Sequence, residues 1–180
     1  MPSSPSLVQN ENQPAFKKES EDSVTSAKLD GKTLPSNVDA EQGLLAACIL
    51  DGSGEVIARC IEQAVSPDHF YFHNHQLIFD ALLQLHHENK EADEILIAEK
   101  LSASNTLEKI GGKDALFELS SRIDTTAHAP YWLDLVKEKA VLRKCIYVGF
   151  EIIDGANQVQ GDIDDFLASI CLLYTSPSPR

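Results

Sequence analysis

"AHAPYWLDLVKEKAVLRKCIYVGFEIID", residues 127–154, is the longest periodic segment of the chain. Within it Trp132, Leu135, Leu142, Ile146, Gly149 and Ile153 recur by threes and fours, interrupted only by Lys139. That spacing marks one face of an α-helix, because a strand would need apolar residues at every second position. A helix of about 28 residues spans about 42 Å, and an apolar edge of that length needs another helix to lie against. Downstream, Gly155 to Gly161 reads as a turn, and Ile163, Phe166, Leu167 and Ile170 open a second helical stripe. The pair predicts an αα-hairpin. Even if the second arm runs to Tyr174 it spans only about 18 Å, so part of the first arm is left uncovered. Either another subunit covers that edge or the chain continues beyond the residues given. The stripe Trp132, Leu135, Leu142, Ile146, Gly149 and Ile153 is therefore the candidate oligomer interface.

Upstream of the hairpin the same period recurs in shorter pieces. In "LPSNVDAEQGLLAACIL", residues 34–50, Ser36 is placed to cap a helix, Asp39 follows three positions later, and Leu44, Leu45, Cys48 and Ile49 share a face. Ser53 is placed to cap a second helix with the stripe Val56, Ile57, Cys60, Ile61 and Ala64. "SPDHF" reads as a tight turn with Pro67 at a first helical position. A third helix is predicted from about His73 through Leu85, and a fourth behind an Asp93 N-cap with Ile95, Ile97, Ala98 and Leu101. Gly111-Gly112 ends a short helical turn, and Leu116, Leu119 and Ile123 mark a fifth helix. No strand-length alternation occurs, so the predicted fold class is all-α: a compact helical block over 34–126 followed by a hairpin over 127–170.

Residues 1–33 mix Ser, Pro, Asn and charges with too few apolar residues to offset the entropy of ordering, and disorder is expected there. At 180 residues with 43% hydrophobic content, the chain can fill one domain's core. It has no apolar run long enough to span a bilayer and no secretory-type stretch at its start, so a cytoplasmic location without membrane contact is expected. Cys48, Cys60, Cys145 and Cys171 form no C-x-x-C pair and have mostly apolar neighbours, which predicts reduced core thiols. Of the net charge of −13, most sits in residues 34–130, which carry six basic and sixteen acidic side chains. Such a surface repels phosphate backbones, since nucleic-acid affinity comes largely from Lys and Arg displacing counterions.

Motifs with catalytic potential are weak. "SAKLDGKT", residues 26–33, approaches a phosphate-binding loop but has Ser26 where the first glycine is needed, no preceding strand, and Leu34-Pro35 where a helix should continue. "DHFYFHNH" places four side chains with metal-ligating chemistry in eight residues without a second pair of ligands elsewhere, so no metal ligand is assigned. His75 is expected to satisfy hydrogen bonds at the start of the third helix, and His86-His87 to close its end, where cations suit the helix dipole. Tyr131 and Trp132 could stack on a base, but with no basic neighbours they read as hairpin packing. Carboxylate pairs such as Asp93-Glu94 and Asp164-Asp165 read as caps and solvated faces, and no residue is assigned a catalytic or cofactor-binding role.

Five segments in order, "LPSNVDAEQGLLAACIL", "VSPDHFYFHNHQLIFDALLQL", "ADEILIAEKL", "IGGKDALFELSS" and "YWLDLVKEKAVLRKCI", resemble the N-terminal domain of the DnaB family of replicative DNA helicases, over about residues 34–170. Ala47-Cys48 departs from the small residues, often including Gly, common there. The resemblance implies an all-α block plus a hairpin. It implies hairpins that pair between neighbouring subunits into a collar, a trimer of dimers, on one face of a hexameric ring. It further implies docking of primase and, in some systems, a helicase loader. In the family, 5'–3' unwinding belongs to a later RecA-like ATPase part that takes ATP and Mg2+ and contacts DNA, and these residues contain no counterpart of it. "CLLYTSPSPR", residues 171–180, does not resemble the family's next segment; it is expected to be non-native read-through, with the natural sequence continuing past Ile170. The rival expectation is a stand-alone interaction protein that binds a helicase ring or primase without a motor. A small metal-dependent hydrolase built on the histidines is the third.

Overall fold

The computed structural model describes residues 33–158 and 163–175. Among them the regular structure is helical: α1 (Val38–Leu50), α2 (Glu55–Glu62), the 3-10 turn η1 (Pro67–His69), α3 (His73–His87), α4 (Glu94–Ala103), the 3-10 turn η2 (Leu107–Ile110), α5 (Gly112–Ser120), α6 (Ala129–Gln158) and α7 (Ile163–Thr175). No strand occurs among the described residues. Residues 1–32, where disorder is expected, lie outside the described residues.

α1 is the central helix. Its apolar residues were expected to line one face, yet every residue from Ala40 to Ile49 is buried, because α3, α5 and α6 pack around it. Leu44, Leu45, Phe79, Leu82, Ile97, Leu116 and Leu133 meet in one core, and Phe70 tilts against Phe79 with ring centroids 4.8 Å apart. Each such side chain withdrawn from water contributes about 1.5–3 kcal/mol.

Several helix ends differ from expectation. Asn37, not Ser36, caps α1, its Oδ1 accepting the Ala40 amide at 3.0 Å. Asp39 instead reaches Arg122 at 3.4 Å. Ser53 does not occupy the cap of α2. Gly54 does so in the left-handed region (φ 73°), while the Asp51 carboxylate takes the Val56 amide at 2.7 Å and the Ser53 amide and hydroxyl. An aspartate before a glycine can thus replace a serine cap, because what α2 needs is an acceptor over its free amides. Asp93 caps α4 as predicted, accepting the Leu96 amide at 2.7 Å. Gly111 and Gly112 (φ 99° and 78°) end η2 as predicted. The fifth helix stops at Ser120, short of Ile123, where the Ser120 and Ser121 hydroxyls both donate to the Phe117 carbonyl.

α6 is longer than the predicted 127–154. Pro130 fits its first turn, where a missing N–H is no loss. Gly155 does not stop it: a mid-helix glycine costs only about 1 kcal/mol against alanine, and here its bare Cα admits Phe166. A Cβ at Gly155 would lie 2.6 Å from the Phe166 ring. That approach places α7 against the end of α6 and forms the predicted hairpin. α7 runs to Thr175.

Gly43 performs the same service at the other end of α6. A Cβ there would lie 2.7 Å from Cδ2 and Cε2 of Trp132. Because an indole cannot yield by bending a flexible tip, Gly43→Val should push it off α1 and destabilise the protein by about 1–3 kcal/mol. Trp132 is the single tryptophan, so its emission should shift to the red; an unchanged spectrum and an unchanged urea midpoint would show the contact to be slack.

Cys48 and Cys60 are buried, as expected of core thiols, but Cys145 and Cys171 are exposed. Apolar neighbours misled there because those residues sit on hairpin arms, where an apolar sequence does not imply enclosure by the chain's own core.

Candidate functional site

Two features of α6 define the site: the buried residues that fix its direction, and the apolar residues it leaves uncovered. Ala129, Leu133, Val136 and Arg143 form the face turned to the block. This stripe lies one residue away from the one read in the sequence, so the first half of α6 belongs to the core of the block.

Arg143 is the pin. It is only 5% exposed, and its guanidinium donates to the carbonyl oxygens of Pro35 at 2.9 Å and His69 at 2.7 Å, while lying 5.7 Å from the centre of the Tyr71 ring. Burial pulls its pKa below the ordinary arginine value, opposed by the nearby Glu41 carboxylate. Glu41, 1% exposed in α1, accepts the Tyr71 amide at 2.8 Å on Oε1. Its Oε2 accepts the His75 Nδ1–H at 2.7 Å and, at 3.5 Å, the Phe72 amide. A carboxylate can only accept, so the ring nitrogen is the donor. Glu41 thereby fastens the turn between η1 and α3 to α1, and Arg143 fastens α6 to the same turn and to the chain entering at Pro35. His75 meets its expectation as a hydrogen-bonding residue at the start of its helix. The roles of Glu41 and Arg143 were not read in the sequence: both look like ordinary solvated charges, and only the apolar Val38, Leu44 and Leu45 one turn from Glu41 hint that it is enclosed.

The candidate interface residues divide. Trp132 is half-buried over Gly43 with His128 at its edge, and Leu135 is half-buried against the core, so both are engaged within the chain. Leu142 is 42% and Ile153 57% exposed; Ile146 and Gly149 are half-buried, with open space where a Gly149 Cβ would project. Exposed beside them are Val141, Tyr147, Ile163 and Leu167. α6, with 30 residues, is about 45 Å long, and α7, with 13, is about 20 Å. Counting back from the Gly155–Phe166 contact, α7 reaches only about to Ile146, so Leu142 and Val141 lie past its end.

The histidines are dispersed in role. His69 Nδ1 takes the Ser66 amide, His73 pairs with Gln76, and His86 and His87 close α3. Burial holds the His69 imidazole below its ordinary pKa. Among the described residues no three His, Cys, Asp or Glu are gathered to hold a metal ion, and no helix is long and apolar enough to cross a membrane.

Residues 33–138 match the model of the DnaB-like helicase N terminal domain. The chain is 34% identical over 133 residues to the replicative DNA helicase DnaB of Geobacillus stearothermophilus, covering 74% of this chain and 29% of that protein. It is 29% identical over 140 residues to the replicative DNA helicase DnaC of Bacillus subtilis, covering 78% of this chain and 30% of that one. It thus spans about 30% of the length of these curated relatives. The crystal structure of the N-terminal domain of DnaB helicase from Mycobacterium tuberculosis superimposes with a TM-score of 0.73 at 29% identity, covering 78% of this chain and 97% of that domain. A DnaB-like replicative helicase described with its interactions with primase shares the fold, with a TM-score of 0.63 at 23% identity over 79% of this chain and 32% of that one. With its helical order, its pinned long arm and more than half its residues matched, the chain belongs to the DnaB-like helicase N-terminal domain family.

Proposed function

We propose that this chain is an assembly and docking module of a replicative DNA helicase. Its hairpin pairs with that of a second copy, the pairs build a collar of three dimers on a hexameric ring, and the collar receives primase or a helicase loader. ATP, Mg2+ and DNA are handled by the motor part, to which the unmatched 70% or so of the relatives' length corresponds. The observation that carries this reading is the stretch of α6 around Leu142: a rigidly anchored helix presents apolar side chains to solvent beyond the reach of α7. Family membership supports it. The acidic block, with ten more acidic than basic side chains over residues 34–130, suits protein contacts better than a phosphate backbone.

The test is Leu142→Asp. An unpaired carboxylate in an apolar seam costs about 3 kcal/mol, roughly two orders of magnitude in the association constant. The variant should elute as a smaller species in sizing chromatography with unchanged helical circular dichroism. Phe117→Asp, which adds the same charge at a 69% exposed position of the block, should leave the size unaltered. If Leu142→Asp keeps the wild-type size, the seam lies elsewhere.

A further inference from the structure

We propose that His69 is an acid-sensitive latch: its neutral imidazole closes the η1 turn that grips α6, and protonation opens the turn and frees the outer half of the arm. The geometry fixes the state of the ring. His69 Nδ1 lies 3.1 Å from the Ser66 amide nitrogen and 3.0 Å from the Ser66 hydroxyl, closing η1 from end to end. A backbone amide can only donate, so Nδ1 presents its lone pair and the ring proton sits on Nε2. The carbonyl oxygen of the same residue, 2.7 Å from the Arg143 guanidinium, is one of the two points that hold α6. One residue thus supplies both the side chain that closes the turn and the oxygen that anchors the arm. His69 is half-buried, which leaves its ring within reach of solvent protons.

Protonation acts twice on this joint. A proton on Nδ1 sets one donor against another, and the Ser66 amide loses its acceptor. The imidazolium also meets two cations of α6: Arg143, and Lys137, which Gln63 holds at 2.9 Å. Like charges in a partly desolvated joint repel, and both cations belong to the helix being held. The Asp68 carboxylate and the Ser66 backbone favour the charged ring, and the Glu41–His75 pair of α1 and α3 fastens the following turn through the Tyr71 amide. Burial, helped by the two cations, prevails and holds the imidazole below its ordinary pKa. The unfolded chain therefore takes up the proton at a higher pH than the folded one. The latch is fully closed above the ordinary histidine pKa of about 6.5 and is lost as pH falls through the lower folded value. Its release concerns a joint within one chain, so it holds or fails irrespective of what the arm pairs with.

The experiment follows the full chain by NMR and amide hydrogen exchange between about pH 7.5 and about pH 5, the range in which histidine changes charge. The His69 ring should titrate below the ordinary histidine range and carry its proton on Nε2 at neutral pH. Exchange protection over residues 143–158, corrected for the intrinsic rate at each pH, should fall several-fold across that titration, and protection in α1 should change less. His69→Asn puts a carbonyl oxygen that does not titrate close to the place of Nδ1. It should keep the neutral-pH protection and lose the acid response. His69→Phe has no acceptor and should show the released arm at both ends of the range. The difference between wild type and His69→Asn cancels the contributions of Glu41, His75 and the other groups that titrate with them. Three results overturn the proposal: a His69 ring that titrates at or above the ordinary value, an acid response that survives in His69→Asn, or a loss of protection in α1 as large as in the arm.

Discussion

Glu41→Ala should lower the free energy of unfolding by about 3–5 kcal/mol, a large share of the roughly 5–15 kcal/mol available to a domain of this size. The reason is what it leaves behind. Glu41 is the acceptor for the buried His75 ring and for the amides of half-buried Tyr71 and Phe72. Removing it strands the His75 donor in the core and leaves the two amides to whatever water reaches them, and a buried donor without a partner costs about 1–3 kcal/mol. Urea titration followed by circular dichroism measures the effect through a lower midpoint at unchanged slope. Glu41→Gln keeps the shape and one acceptor oxygen and should recover part of the loss. A Glu41→Ala protein as stable as the wild type would mean that the carboxylate is already hydrated.

Arg143→Met should cost about 2–4 kcal/mol and should act on the hairpin first. The methionine keeps the apolar stem against the block but cannot donate, so the carbonyls of Pro35 and His69 lose their partner. The first half of α6 remains held by Leu133 and Val136, whereas its second half loses the attachment that sets its direction. Amide hydrogen exchange over residues 143–158 should therefore accelerate more than exchange in α1. Equal acceleration everywhere would mean that Arg143 stabilises only the whole and does not orient the arm. Because Arg143 and Glu41 attach to the same turn, their effects should not add. A double-mutant cycle should show a coupling of about 0.5–3 kcal/mol.

The all-helical class, the order of the helices and the hairpin were legible because each rests on local signals: the 3.6 period, Asp93 before α4, the two glycines after η2 and Pro67 in its turn. What was not legible is non-local. The stripe beginning at Trp132 has the right period, yet the residues that enter the core are Leu133, Val136 and Arg143. A helix with apolar residues on several faces does not reveal which of them the block covers, and a charged residue in the buried stripe hid the pattern. Asn37 displaced Ser36 as a cap, a choice between adjacent polar residues that sequence alone leaves open. Trp132 and Leu135 were read as facing outward because nothing local records that Gly43, almost ninety positions earlier, makes room for an indole.

Arg143 sits near the middle of α6, and its position turns the outer half into a lever. From that fulcrum about 15 residues, or some 22 Å, project toward the hairpin tip, so a tilt of about 5° at the guanidinium displaces the tip by about 2 Å. The two carbonyls that grip one side chain thus govern where the far end of the arm points.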